Sequence, residues 1–174
     1  MTPISFSSSR IALLVRVAAI TVALAGCVDK MADRAYQRGD YATVVRDLEP
    51  KAEGGDVRAQ YDLGVLYDKG LGVPQDDAKA LYWYKLAAEH GEKRAQYNLA
   101  LMYMNGQGVP PDYIRAYYWL SMAIVQGDLN APGAREYVTG KMTPQQLKEA
   151  QQLVEDQLRT GQLPVFHTIP HDGP

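Results

Sequence analysis

Ala59-Gln60-Tyr61-Asp62-Leu63-Gly64-Val65-Leu66-Tyr67-Asp68-Lys69-Gly70-Leu71-Gly72-Val73-Pro74 returns 36 residues later as Ala95-Gln96-Tyr97-Asn98-Leu99-Ala100-Leu101-Met102-Tyr103-Met104-Asn105-Gly106-Gln107-Gly108-Val109-Pro110. The same register carries Asp76 to Asp112, Ala80 to Ala116, Tyr82 to Tyr118, Trp83 to Trp119, Ala87 to Ala123 and Gly91 to Gly127. One offset that aligns so many positions is an internal repeat, and a period in this range belongs to stacked helix pairs.

Each copy divides into two helices. Ala59, Leu63, Leu66 and Tyr67 fall at helical spacing, as do Ala95, Leu99, Met102 and Tyr103. The segments Gly70-Leu71-Gly72-Val73-Pro74 and Gly106-Gln107-Gly108-Val109-Pro110 end these helices. Glycine accepts the positive φ of a helix C-terminus and proline blocks continuation. Asp76 and Asp112 stand where a side chain can accept the free N–H groups of the next helix. Ala80, Trp83, Tyr84 and Ala87 make one stripe of that second helix, and Ala116, Trp119, Leu120 and Ala123 repeat it. The alanines permit close helix approach and the tryptophans fill the space beside them. Each copy hides its apolar flank on a neighbour, so the expected architecture is an all-α solenoid of stacked helix-turn-helix pairs.

These residues resemble the Sel-1-like repeat, a relative of the tetratricopeptide repeat. That family's pattern runs Leu-Gly-x-x-Tyr, Gly-x-Gly-Val, an aspartate, Ala-x-x-Trp and Ala-Ala-x-x-Gly. It stands here as Leu63-Gly64-Val65-Leu66-Tyr67, Gly70-Leu71-Gly72-Val73, Asp76, Ala80-Leu81-Tyr82-Trp83 and Ala87-Ala88-Glu89-His90-Gly91. The second copy departs at Ala100 and Ile124. The expected repeat domain covers residues 31–160. It has a degenerate first unit at 31–55, where Asp40, Glu53 and Gly55 precede Asp76, Glu89 and Gly91 by the same 36 residues. Full units follow at about 56–91 and 92–127, then capping helices within 131–160. The last of these begins at Thr143-Pro144-Gln145-Gln146, a capping threonine with glutamine three residues on. Its apolar stripe is Leu147, Ala150, Leu153, Val154 and Leu158. Residues 161–174 read as a loose, proline-rich tail.

The N-terminus is read as an address. Arg10 and Arg16 precede an apolar run at residues 17–25, which is too short for a bilayer span of about 20 residues and fits an export signal. Leu24-Ala25-Gly26-Cys27 resembles the lipobox of bacterial lipoproteins. That resemblance implies cleavage after residue 26, a diacylglyceryl group on the Cys27 thiol, and a short tether at 27–30. Two or more acyl chains hold a protein stably at a membrane where one does not. Val28 after the cysteine favours the outer membrane over the inner one, facing the periplasm. Without Arg10 and Arg16 the chain carries 16 basic and 20 acidic residues, because the full sequence has 18 and 20. A mildly acidic body of this kind lacks the basic footprint of a nucleic-acid binder.

Catalytic signals are sparse. Cys27 is the only cysteine, and the lipobox reading commits it to the lipid. The two Gly-x-Gly segments lack the lysine of a phosphate loop. His167 and His171 are separated by Pro170, which disfavours a helix presenting both to a metal. His90 stands at a helix end, where it complements the dipole. No cofactor or metal is expected. What remains is surface. In repeats of this type the first helices line a concave face. Arg58, Asp62, Val65 and Lys69, then Arg94, Asn98, Leu101 and Asn105, lie at steps of four, three and four on one side of those helices. Three of the four pairs differ between copies, Arg58 and Arg94 being alike, while most packing positions are shared. The reading is a non-enzymatic envelope adaptor that binds another envelope protein or peptide segment at these eight positions. The alternatives are a solvated face without a partner, and a periplasmic hydrolase acting on cell-wall or β-lactam amides.

Overall fold

A computed structural model describes residues 38–164. Cys27, the leader before it, the start of the degenerate first unit, His167 and His171 lie outside the described residues. Within them every regular element is an α-helix. The helices are α1 (Tyr41–Glu53), α2 (Val57–Lys69), α3 (Asp77–Glu89), α4 (Lys93–Asn105), α5 (Tyr113–Val125), α6 (Ala131–Thr139) and α7 (Pro144–Thr160).

The repeat of sequence is a repeat of local chemistry. Asp40, Asp76 and Asp112 accept from the backbone N–H of Thr43, Lys79 and Arg115, at 3.3, 3.0 and 2.9 Å, and so start α1, α3 and α5. These bonds satisfy donors that the first turn of a helix leaves free. Asp40 in this role gives α1 the same start as the second helices of the two full units. Gly70 and Gly106 close α2 and α4 in the left-handed conformation, with φ of 65° and 71°. The next glycine of each turn has a separate purpose. A Cβ on Gly72 would run into the backbone of Tyr41 and Ala42, and one on Gly108 would lie 2.8 Å from the Asp77 carbonyl oxygen. Each turn therefore rests directly on the start of the preceding unit's second helix.

Packing follows the chain. α2 pairs with α3 and α4 with α5 inside the units, while α1 meets α2 and α3 meets α4 between them. α2 and α4 also touch one another. Two buried glutamines fasten the units together. Gln60 Nε2 donates to the Ala52 carbonyl and Gln96 Nε2 to the Ala88 carbonyl, each at 3.1 Å. Both acceptors lie in the last turn of the preceding helix, where backbone carbonyls lack intrahelical donors.

The core falls into two clusters. One joins α1 and α2 through Val44, Val45, Leu48, Leu63 and Leu66, and the other runs from Tyr67 through α3, α4 and α5 to Ala150 of α7. Val73 and Trp83 pack against both clusters. Trp119 is 4% exposed, whereas Trp83 is only half-buried.

At the C-terminal end, α6 and α7 pack on α5. Thr143 and Gln146 form the reciprocal cap at the start of α7, with bonds of 3.2 and 2.9 Å. The apolar stripe of α7 closes the stack less completely than its pattern predicts. Ala150 is buried and Leu147, Leu153 and Val154 are half-buried, but Leu158 is 59% exposed. It borders an open groove of about 440 Å3 with Tyr117, Arg135 and Val154. The physical reason is that α5 is the last helix of the repeat: α7 packs chiefly on it, and a groove lined by Tyr117, Ser121, Val154 and Leu158 is left open between the two.

Candidate functional site

α2 and α4 bring the two four-residue strips onto adjacent helices. Arg58, Lys69, Arg94 and Asn105 are exposed, and Asp62, Val65, Asn98 and Leu101 are half-buried. Val65 packs partly on the main core, so it is a packing residue as well as a surface one. Arg58 is 83% exposed along its side chain and reaches Asp62 at 3.9 Å. Lys69 pairs with the neighbouring Asp68 at 2.9 Å. Asn105 Nδ2 donates to Gln107 Oε1 at 3.4 Å.

Arg94 differs from its counterpart Arg58. Its guanidinium carbon lies 4.2 Å from the centre of the Tyr61 ring, across the boundary between the units. Its Nε donates to Glu92 Oε1 at 2.8 Å. Glu92 is also the N-cap of α4 and accepts from the Arg94 backbone N–H at 3.2 Å. A cation stacked on a ring and paired with a carboxylate is held in place. Arg58 has no equivalent ring in the sequence, because the position 36 residues before Tyr61 is Ala25.

The electrostatics of this junction are uneven. Burial raises the Asp62 carboxyl above its ordinary range, and Arg58 and Arg94 only partly oppose it. Burial also pushes the Glu92 carboxyl up, but the bonds from Arg94 outweigh it and leave it below the usual range. The Tyr61 hydroxyl is raised, by burial first.

A residue outside the sequence-derived strip completes the junction. Tyr84, on α3, packs its ring against Gly64 of α2 and lies 5.9 Å from the Tyr61 ring. Its hydroxyl is buried and has no hydrogen-bond partner of ordinary geometry among the described residues. Asp68 and Asn98 are its polar neighbours. Burial pushes this hydroxyl far above the ordinary tyrosine value, with Asp68 adding to the effect. The sequence held a signal for it. Gly64 and Tyr84 become Ala100 and Leu120 one unit later, so a small-large pair changes together. Tyr61 likewise borders the strip while it packs, and Glu92 enters through Arg94.

Among the described residues, no group of three or more histidine, cysteine, aspartate or glutamate side chains could hold a metal ion. His90 contacts the Leu86 carbonyl through Nδ1 at 2.9 Å, which places it at the C-terminus of α3. No described helix is long and apolar enough to cross a membrane.

The family described as Sel1 repeat matches residues 57–92 and 93–128. No curated protein matches the chain. Among solved structures, the chain is similar to a protective antigen present in uropathogenic Escherichia coli strains that displays an SLR fold. The identity is 26% and the TM-score 0.70, over 83% of this chain and 34% of that one. It is also similar to a Sel1 repeat protein from Oxalobacter formigenes, at 33% identity and a TM-score of 0.60, over 70% of this chain and 51% of that one. The chain thus spans about a third and about a half of the lengths of these two proteins.

Proposed function

We propose that this chain, which belongs with the Sel1-repeat proteins by its two matched units, is a lipid-tethered adaptor of the bacterial cell envelope. Sel1-repeat proteins are in general protein–protein interaction scaffolds. The finer reading concerns where and what this one binds. An extended segment of another envelope protein lies along α2 and α4, over Arg58, Asp62, Val65, Lys69, Arg94, Asn98, Leu101 and Asn105.

One observation carries this reading. The two units share most of their packing residues and differ at three of the four paired positions along this strip, and the helices that bear it touch one another. A scaffold that keeps its packing and varies one face is built for recognition at that face. The junction adds groups that water satisfies poorly. Asp62 is a carboxylate in a partly buried place, and the Tyr84 hydroxyl lacks a partner. Polar groups in such positions gain from a ligand that supplies hydrogen bonds.

The tether rests on Leu24-Ala25-Gly26-Cys27 after a charged and apolar leader. Acylated Cys27 holds the domain at the periplasmic face of a membrane, the outer one favoured by Val28. Tethering raises the local concentration of partners on the same surface, so modest affinity suffices.

The test uses photo-crosslinking residues placed at Lys69 or Asn105, with Lys148 on α7 as control, in cells that carry the chain. The expected result is an adduct with one envelope protein from the first two sites and none from the third, lost on Arg58→Glu. Equal adducts from all three sites would end the assignment of the face. Intact mass of the purified protein tests the anchor separately. The Cys27→Ala form should lack the lipid mass and leave the membrane fraction.

A further inference from the structure

Thirty-six residues on from the second unit, Ala131, Arg135 and Val138 of α6 take the places of Ala95, Leu99 and Met102, which themselves follow Ala59, Leu63 and Leu66. Ala131 and Val138 are buried like their counterparts. Arg135 is the departure. Leu63 and Leu99 are 0% exposed, and here the same position carries a charge and is half-buried. It lines the open groove of about 440 Å3 beside the α5–α7 contact.

The guanidinium is held against one wall of that groove. Its carbon lies 5.6 Å from the centre of the Tyr117 ring. Arg135 Nη1 donates to the Ser121 hydroxyl at 3.4 Å, and that hydroxyl donates in turn to the Tyr117 carbonyl at 2.8 Å. Ser121 is buried, so the support is firm. Neither contact carries a negative charge, and an arginine fork has further N–H donors to place. Among the described residues no carboxylate forms an ion pair with Arg135. Glu155 lines the same groove, but it is exposed and makes no such pair. Arg159, also on the groove, is already paired with Asp156 at 3.0 Å.

Tyr117, Val154 and Leu158 give the groove its apolar side, and Leu158 is 59% exposed. A positioned cation therefore adjoins uncovered apolar surface. The ligand that fits carries a carboxylate and an aliphatic group close together. Within an extended segment, neighbouring side chains point to opposite faces, so an acidic residue beside an aliphatic one brings only one of the two into a groove. At the end of a chain the carboxylate and the last side chain branch from the same carbon, and both enter.

We propose that this groove captures the C-terminal residue of a partner polypeptide, with its carboxylate on Arg135 and its aliphatic side chain against Tyr117, Val154 and Leu158. The arginine fork takes both carboxylate oxygens. Gln151, on the same groove, offers its amide to the backbone of the bound chain. None of these residues lies on α2 or α4, so this site and the recognition strip stand or fall separately.

The test uses the isotope-labelled full chain and short acetylated alanine peptides that end in leucine, isoleucine or valine, each as the free acid and as the C-terminal amide. A free acid should shift the backbone amide signals of Ser121, Val154 and Leu158, and its amide should bind about tenfold or more weakly, the worth of a hydrogen bond to a charged group. Arg135→Leu, which restores the residue of the two full units, should erase the difference between acid and amide. Leu158→Asp, at an exposed position, should weaken binding of every peptide. Acid and amide that bind the unaltered chain alike, or the absence of any shift in the groove, overturn the proposal. So does sodium decanoate binding there more tightly than every peptide, which would make the groove an acyl-chain site.

Discussion

The Tyr84 ring occupies the space that a side chain on Gly64 would need. A Cβ at Gly64 would lie 2.5 Å from Tyr84 Cδ1 and 2.6 Å from Cε1. One unit later the same two positions are Ala100 and Leu120, both fully buried. The bulk removed from α2 reappears on α3, and in the next unit part of it returns to α4.

This relation makes Gly64→Ala destabilising although the site is helical. Alanine gains about 1 kcal/mol over glycine in a helix interior, but overpacking a filled core costs about 1–3 kcal/mol. Gly64→Ala should lower the urea midpoint, and Gly64→Ala with Tyr84→Leu should recover most of the loss by recreating the second unit's pair. A double-mutant cycle on the urea midpoints measures the coupling. Additive effects would show that the ring and the glycine do not depend on each other.

The buried glutamines predict a ranking. Gln96→Met removes a hydrogen bond to the Ala88 carbonyl and should cost about 1–3 kcal/mol. It also removes Gln96 Oε1, which has no partner, so the lower end is expected. Gln96→Glu keeps the shape but sets a carboxylate against that carbonyl, with no donor to offset its burial. At neutral pH it should be the more damaging change, and its deficit should shrink as the pH falls and the carboxyl protonates. Unfolding midpoints at pH 7 and pH 4.5 check both the order and the trend.

Much of this fold was legible because its determinants are local and occur twice. Asp76, Asp112, Gly70 and Gly106 act through backbone positions a few residues away, so their spacing announces them. The apolar stripes were readable for the same reason. Three features were less visible. The Tyr84 hydroxyl belongs to the junction because Gly64, on another helix, makes room for its ring. Arg94 looks equivalent to Arg58 along the sequence, and only the Tyr61 ring across the unit boundary separates them. Leu158 follows the stripe of α7 but borders the groove beside Tyr117 and Ser121 of α5, and periodicity cannot tell where two helices stop touching. For the strip on α2 and α4, the spacing indicated which residues share a side, and the structure adds that the two helices touch.

The Arg94–Arg58 contrast is itself testable. Arg94→Ala removes a ring stack between units and a charged hydrogen bond to Glu92 within its own, and should cost about 1–2 kcal/mol. Arg58→Ala, at an exposed pair with Asp62, should stay within about 0.5 kcal/mol. Thermal midpoints of the two variants decide it. The difference also governs how binding data are read, since loss of a partner in an Arg94 variant mixes stability with recognition and loss in an Arg58 variant does not.

Asp62 sets the pH dependence of the junction. Its carboxyl is raised by burial, with Arg58 and Arg94 pulling the other way. A raised carboxyl means that the folded state holds its proton more tightly than the unfolded state does. The penalty is therefore absent below the unfolded value near 4, grows as the pH passes through the window between the two values, and is complete above the folded one. Glu92 runs opposite: its lowered carboxyl stabilises the fold above the unfolded value, and that contribution is lost as the pH falls through the folded one. Asp62→Asn should therefore raise the thermal midpoint at pH 7 and change it little at pH 3, while Glu92→Gln should lower it at pH 7 and matter little at pH 3. If Asp62 serves the partner, Asp62→Asn should bind more weakly while it folds more firmly, which is the usual cost of placing a charge for recognition. A variant that gains stability and keeps its full crosslinking yield at Lys69 would remove Asp62 from the recognition strip.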